Sequence, residues 1–336
     1  MLFGYLAAVI AAFLFTAVPN WTGRLPVRGR PLLALVLLWV AARLAVLTGA
    51  WIGAWPGLLL DTAFPLALAA LIAREILASH NRRNLPVVAL VTVLALAGFL
   101  SHLEALWALP WDALGDRMAI AAVAGLVALI GGRIVPSFTT NWLKARKAAA
   151  LPTPAGRPDV AVLALTAAAL IAWLLGPESE VAGLLLVAAA VGTAWRLARW
   201  RGAATTPEPL LLVLHLGYAW LALGFLLLGL AALDLVPRTA ALHALTAGAF
   251  GTMTLAVMTR ATLGHTGRAL TADRWTAGIF VLVVLGALAR VLAALLPAAA
   301  TSVLDLAGLL WGGAFLLYAL RYGPMLLGPR PTARAA

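Results

Sequence analysis

The sequence predicts an all-α protein, a polytopic transmembrane helical bundle with about eleven spans. Hydrophobic residues make up 64% of the 336 positions and charged residues only 11%, which is too apolar for a soluble globular protein. The apolar residues form runs of roughly the 20 residues that a helix needs to cross a bilayer. The short alternating segments that are typical of a membrane β-barrel are absent from the sequence.

Each apolar run is interpreted as one membrane-spanning helix, because a helix satisfies its backbone hydrogen bonds within the segment. Turn-forming and charged residues separate the runs. We expect one integral-membrane domain, 1–336, with a short tail at 321–336. The predicted spans are 1–18, 31–50, 57–73, 85–101, 118–136, 159–176, 181–197, 209–233, 239–259, 275–296 and 302–320.

The positions of the basic residues predict how the bundle is oriented. The loops after spans one, three, five, seven and nine, together with the tail, hold 19 of the 24 Lys and Arg residues when Arg196, near the end of span seven, is counted with the loop that follows it. Because short cytoplasmic loops carry the excess of Lys and Arg, these loops and the C-terminus are predicted to be cytoplasmic. The net charge of +12 therefore reflects topology and contact with the lipid bilayer, and nucleic acid is not an expected partner.

This orientation places Met1 on the outer side, where an apolar span follows at once. No basic residues precede the span, so a signal peptide is a poor interpretation. An odd number of spans with an outer start suggests that one helix is missing at the N-terminus. We expect either a start site that was assigned too late or a natural truncation.

The absence of cysteine limits the metal chemistry of the chain. Thiolate sites and covalent c-type haem attachment both require cysteine, so any haem must bind without a covalent link. The remaining metal ligands are histidine, methionine, carboxylates and backbone oxygens. A few neutral imidazoles with carboxylates nearby suit haem iron or copper better than calcium or magnesium.

The segment from His243 to Arg268 is the most informative part of the sequence. His243 opens an apolar stretch that carries no charge until Arg260 and that contains several Gly and Thr residues. The small residues would let a neighbouring helix or a flat ligand approach the backbone, and the threonines can bond to carbonyls one turn back. We favour His243 as a metal ligand, since a histidine at such a helix end can bind a metal.

Polar residues within the spans concentrate in the outer third of the membrane. A charge in hydrocarbon costs roughly 2.5 to 3.5 kcal/mol even on the lenient insertion scale, so these residues indicate an outward-opening polar pocket. In the inner half we expect only Arg133 and His215. The outer set consists of Arg43, Asp61, His102, Glu104, His243, Arg290 and Asp305.

Each of these residues also has a structural interpretation. Arg43 with Asp61, and Arg290 with Asp305, could form ion pairs within helical hairpins, or the arginines could meet haem propionates. His102 and Glu104 could simply mark a helix end that meets water.

The other histidines have structural interpretations too. His215 could be a buried neutral histidine bonded to a carbonyl, with Tyr218 on the same helix face. A capping or loop-ordering role is favoured for His265, while His80 lies in a basic loop and is expected to be solvated.

Three spans that run inward end in similar motifs, which suggests an internal repeat. The motifs are TAVPNWTGR from Thr16, RIVPSFTTNW from Arg133 and LAVMTRATLGHTGR from Leu255, spaced by 117 and 122 residues. Each spacing covers four spans. The alternative is that any helix ending at a cytoplasmic surface acquires a Pro or Thr turn and an Arg.

Three separated segments closely resemble the NnrS family. They are HALTAGAFGTMTLAVMTRATLGHTGR at 243–268, FLFTAVPNWTGR at 13–24 and GGRIVPSFTTNW at 131–142. The resemblance implies a bacterial inner-membrane protein with twelve helices that carries haem and copper and takes part in nitric oxide metabolism or resistance to nitrosative stress. Family members usually carry a further helix and a Trp-His-x-His-Glu stretch before the segment that begins this chain.

Together, the residues and the resemblance predict a non-covalent haem that binds nitric oxide, with copper nearby. The candidate cofactor-binding residues are His243, His215, His102, Arg43 and Arg290, and the candidate metal ligands are His243, His102, His215 and His265. One alternative is a secondary transporter with an outward-opening polar cavity. Another is a structural or assembly subunit whose histidines bind nothing.

Overall fold

Helices account for 83% of the computed structural model, and none of the described residues, 2–330, lies in a strand. This confirms the predicted all-α class. Within residues 2–330, eleven helices are long and apolar enough to cross a membrane, which confirms the predicted number of spans. We number them α1 Leu2–Thr22, α2 Arg30–Leu47, α3 Trp55–Ala78, α4 Arg82–Trp107, α5 Leu114–Ala145, α6 Arg157–Leu175, α7 Glu180–Ala198, α8 Pro209–Ala232, α9 Arg238–His265, α10 Arg274–Leu295 and α11 Pro297–Leu327.

Several helices extend beyond their apolar runs. The span predicted at 118–136 is the core of α5, which has Asp116 in its first turn and Lys144 in its last. Charges of these signs are favourable at the two ends of a helix, so the helix continues past the hydrocarbon. Helix α11 likewise reaches Leu327, inside the predicted tail. Residues 331–336 of that tail and Met1 lie outside the described residues.

Local sequence explains where the helices begin. Proline occupies the first turn of α2, α3, α6 and α8, and Pro86 lies in the first turn of the α-helical part of α4, which begins at Leu85; at these positions the missing N–H costs no hydrogen bond. Ser179 caps α7 by accepting a hydrogen bond from the Ala182 amide at 3.2 Å. Asp273 caps α10 in the same way, through the Thr276 amide at 2.8 Å.

The helices form two compact units, Met1–Leu126 and Val127–Ala336. In the first unit α3 packs against α1, α2 and α4, and α4 also packs against the first part of α5. Gly115 permits that last approach, because a Cβ there would lie only 2.7 Å from the Ala97 carbonyl oxygen. The prediction of one domain over 1–336 stays a prediction.

Helix α8 lies at the centre of the second unit. It packs against α7, α9 and α10, and 72% of its apolar stretch is buried. For α11 the buried share is 11%, so most of that helix presents its apolar side chains to the surroundings, as expected for a helix in contact with lipid. Helices α6 and α7 pack together, as do α10 and α11.

Three helices contain π-helical segments, at Leu2–Leu6, Val127–Gly131 and Ala244–Phe250. These helices, α1, α5 and α9, are the three that end in the repeated sequence motif. Elsewhere in residues 2–330 the helices are α or 3₁₀. The coincidence supports the internal repeat, although the segments lie at different distances from their motifs.

Candidate functional site

In the first unit, three of the predicted polar residues meet. Asp61 of α3 is only 4% exposed and pairs with the Arg43 guanidinium of α2. The other carboxylate oxygen of Asp61 lies 3.2 Å from Nε2 of His102 on α4. The ion pair between Arg43 and Asp61 is therefore formed, and the same carboxylate orients His102.

The contacts of His102 leave one ring nitrogen available. Asp61 engages Nε2, and Nδ1 has no hydrogen-bond partner among residues 2–330. A carboxylate bonded to one nitrogen is how proteins often orient a histidine that binds a metal through the other. Glu104, by contrast, accepts hydrogen bonds from the amides of Leu114 and Gly115, so it caps the start of α5.

In the second unit, His243 of α9 lies beside Arg290 of α10, and the two interact electrostatically. The imidazole is half-buried and has no hydrogen-bond partner in the described part of the chain. The predicted ion pair between Arg290 and Asp305 is not among the ion pairs of residues 2–330, and Asp305 is exposed. Arg290 therefore remains available to an anionic ligand next to His243.

Neighbouring helices fill the small-residue face of α9. Cβ atoms at Gly248 and Gly251 would lie 2.6 Å from Cδ2 of Trp220 and 2.9 Å from Nε1 of Trp311. The Trp311 indole also donates a hydrogen bond to the Ala247 carbonyl at 3.2 Å. Of the two possibilities left by the sequence, close approach of a neighbouring helix is the one observed at these glycines.

Two other predicted ligands have different surroundings. Nδ1 of His215 lies 3.0 Å from the Leu211 carbonyl, and Nε2 lies 3.4 Å from the Thr139 hydroxyl. His215 is 5% exposed, so this arrangement matches a buried neutral histidine bonded to a carbonyl. His265 is exposed at the end of α9.

Sequence reasoning missed a buried charged cluster around Arg196, a residue that we counted among the loop cations. Arg196 is 3% exposed; its Nε lies 3.2 Å from an Asp159 carboxylate oxygen, and its Nη1 lies 2.8 Å from the Tyr218 hydroxyl. Nη1 also lies 3.3 Å from the carbonyl of Ala128 in the π-helical segment of α5. The expectation that only Arg133 and His215 are polar in the inner half is therefore wrong.

The family of the chain follows from a match over almost its full length. The family model described as NnrS protein matches residues 1–330. The chain belongs to the NnrS family. No curated protein and no solved structure matches it. At the level of the NnrS family this is a multi-pass membrane protein related to nitric oxide.

The NnrS family is known for binding haem and copper, and the two cofactors require different sets of protein ligands. A histidine imidazole is one of the side chains that hold haem iron in proteins, and the His243 ring, which has no hydrogen-bond partner in residues 2–330, could serve in this way. Copper needs several ligands, but residues 2–330 contain no group of three or more His, Cys, Asp or Glu side chains that could hold a metal. The described donors therefore do not form a copper site of three or more such ligands.

Proposed function

We propose that this NnrS protein binds haem without a covalent link and that nitric oxide binds to this haem. The observation that carries the proposal is the half-buried His243 imidazole, which has no hydrogen-bond partner in residues 2–330 and lies beside Arg290. An imidazole without a protein partner can bind a metal through a ring nitrogen. Haem held by His243 would supply an iron that can bind a diatomic gas.

Arg290 has a defined role in this proposal. Its guanidinium is unpaired in the described part of the chain and can form charge-assisted hydrogen bonds with a haem propionate. Arg43 is a weaker candidate for that role, because Asp61 already engages it. We therefore assign the haem site to His243 and Arg290, because Arg290 has no ion pair in the described residues whereas Arg43 has one.

The physiological role that we propose is nitric oxide metabolism or resistance to nitrosative stress. We place the protein in the bacterial inner membrane with its C-terminus in the cytoplasm, which the basic loops support. We also propose that His102, which Asp61 orients through Nε2, can bind a metal through Nδ1 independently of His243.

The test is the haem content of the purified His243→Ala variant. Removal of the axial imidazole should lower the bound haem to a small fraction of the wild-type content, and added imidazole should restore part of it. His80→Asn is the control, since His80 lies in a loop with φ +56°, a conformation that Asn tolerates. This control should retain the full haem content.

Full retention of haem in His243→Ala would disprove the ligand assignment. Absence of haem and iron from the wild-type protein, purified under conditions that supply haem, would disprove the proposed function. Transport would then be the function to test next.

A further inference from the structure

A second polar site lies in the second unit, where α9 ends and α10 begins. A cavity of about 540 Å³ that opens to the surface lies there, between the α9–α10 connection and the last turns of α11. Its polar lining includes Arg268, Asp273, Thr276 and Arg321. A volume of this size is typical of sites for small molecules or head groups.

Arg268 lines the cavity and has a guanidinium nitrogen without a hydrogen-bond partner in residues 2–330. Its Nη1 atom is buried and has no hydrogen-bond partner in residues 2–330. The position of Arg268 is fixed by the turn before it, in which Gly267 has φ +72° and the Arg268 amide donates to the Leu263 carbonyl at 2.9 Å. These contacts fix the backbone from which the Arg268 side chain extends, and the planar guanidinium matches the geometry of a phosphate group.

The one carboxylate in the lining is already occupied. One oxygen of Asp273 accepts hydrogen bonds from the amide and the hydroxyl of Thr276, at 2.8 and 2.7 Å. The other accepts from Nε and Nη2 of Arg321, at 2.9 and 2.6 Å. Asp273 therefore neutralises Arg321 and leaves the charge of Arg268 uncompensated within the cavity.

Apolar side chains complete the lining. Leu320, Pro324 and Met325 of α11 lie at the cavity, and α11 is the least buried of the eleven helices. A cationic cavity beside an apolar helix surface suits a head group whose acyl chains lie along the helix. The cavity also lies at the basic ends of the spans, where anionic lipid head groups are met.

We propose that this cavity binds a phosphate group, carried either by an anionic phospholipid or by a free phosphate ion. Arg268 provides the charge-assisted hydrogen bonds, because Asp273 offsets the charge of Arg321 and leaves that of Arg268 in excess. This site is separate from His243 and Arg290, and its proposal does not depend on haem.

The test is isothermal titration calorimetry of the full chain in a neutral detergent. Three probes are used: inorganic phosphate, dihexanoyl phosphatidylglycerol and its zwitterionic phosphatidylcholine analogue. We expect the anionic probes to bind the wild type, and the Arg268→Gln variant to bind them about tenfold more weakly or worse. The control is Arg274→Gln, which removes the same charge from an exposed residue that does not line the cavity.

The outcomes separate the two sources of phosphate. Tighter binding of phosphatidylglycerol than of free phosphate assigns the site to a lipid, whereas binding of phosphate alone assigns it to a soluble ion. If Arg268→Gln does not fold, Arg268→Lys is titrated with the same three probes. Competition between phosphate and phosphatidylglycerol on the wild type then shows whether the two bind at one site. Equal binding of both lipids, no binding of either anion, or an equal loss in Arg274→Gln would overturn the proposal.

Discussion

The environment of Arg196 shows how a single buried charge is stabilised in this protein. Asp159, Tyr218 and the Ala128 carbonyl surround its guanidinium, and a Cβ at Gly132 would overlap the same group. An unpaired guanidinium in an apolar interior would be strongly destabilising, so these partners of Nε and Nη1 favour its burial. These contacts also connect α7 and α8 to the π-helical segment of α5.

Tyr218→Phe tests the contribution of one of these partners. The substitution keeps the ring and removes the hydroxyl that accepts from Arg196 at 2.8 Å. Because a buried charged donor then loses the nearer of its two acceptors and keeps only the Ala128 carbonyl at 3.3 Å, we expect a loss of about 1–3 kcal/mol of stability, measured as a lower midpoint of thermal unfolding in detergent. Tyr318→Phe is the control, since its half-buried hydroxyl meets only a threonine hydroxyl at 3.2 Å. An equal decrease in both variants would contradict the role of Arg196.

The lowered pKa of Asp273 leads us to expect that the stability of the fold depends on pH. Burial raises the pKa of this carboxyl, but hydrogen bonds from Thr276 and Arg321 outweigh that effect and lower the pKa below its ordinary value of 3.8. The carboxylate therefore stabilises the fold above that value, and this contribution is lost as the pH falls through the lowered pKa. Since Asp273 and Arg321 are 37% and 39% exposed, solvent screening limits the effect of the ion pair to under about 1 kcal/mol.

Two variants of Asp273 separate the ion pair from the helix cap. Asp273→Asn keeps an oxygen for the Thr276 amide and should lose only the ion pair, whereas Asp273→Ala should lose about 1 kcal/mol more. Thermal unfolding at pH 7 and below pH 3.8 measures both effects. The difference between wild type and Asp273→Asn should decrease at the lower pH, and a constant difference would be evidence against the charge effect.

At the scale of helices, the three π-helical segments share a chemical feature. Each contains a carbonyl that accepts a hydrogen bond from a side chain of another helix. A π turn leaves backbone groups without their usual partners, so these side chains complete the hydrogen bonding. The pairs are Gly4 with the Trp39 indole, Ala128 with Arg196 and Tyr218, and Ala247 with the Trp311 indole.

Gly251→Ala tests the contact of α9 with α11. The added Cβ would lie 2.9 Å from Nε1 of Trp311, so the indole must move and its hydrogen bond to Ala247 should weaken. We expect a destabilisation of about 1–3 kcal/mol, measured by thermal unfolding. Gly264→Ala in the same helix is the control, because its nearest neighbour is a flexible leucine side chain at 3.8 Å. The control should be neutral or stabilising, and the reverse order would contradict the packing described.

At the scale of the whole molecule, the sequence predicts the spans well because the bilayer sets their length and composition. It predicts the contacts of the spans less well. Arg196 stands at the end of an apolar run, where a count of residues treats it as a loop cation, and only the fold brings Asp159 and Tyr218 around it. The pair of Arg43 and Asp61 was among the predicted alternatives, whereas the π-helical segments have no sequence signal that we used.

The basic loops predict the orientation of the whole chain. A fusion of green fluorescent protein to the C-terminus should fluoresce, and a fusion of alkaline phosphatase there should be inactive, because a cytoplasmic end keeps the first folded and the second reduced. Fusions to the Val236 loop should give the opposite result. An active phosphatase at the C-terminus would contradict the orientation inferred from the 19 basic residues.

The central claim is that this NnrS protein binds haem that responds to nitric oxide. The most direct measurement is the reduced-minus-oxidised absorption spectrum of the purified protein, with and without nitric oxide, together with iron and copper analysis. We expect a haem Soret band that shifts when the gas is added and that is lost in His243→Ala. A protein purified with haem supplied that contains no iron and shows no Soret band would contradict the claim.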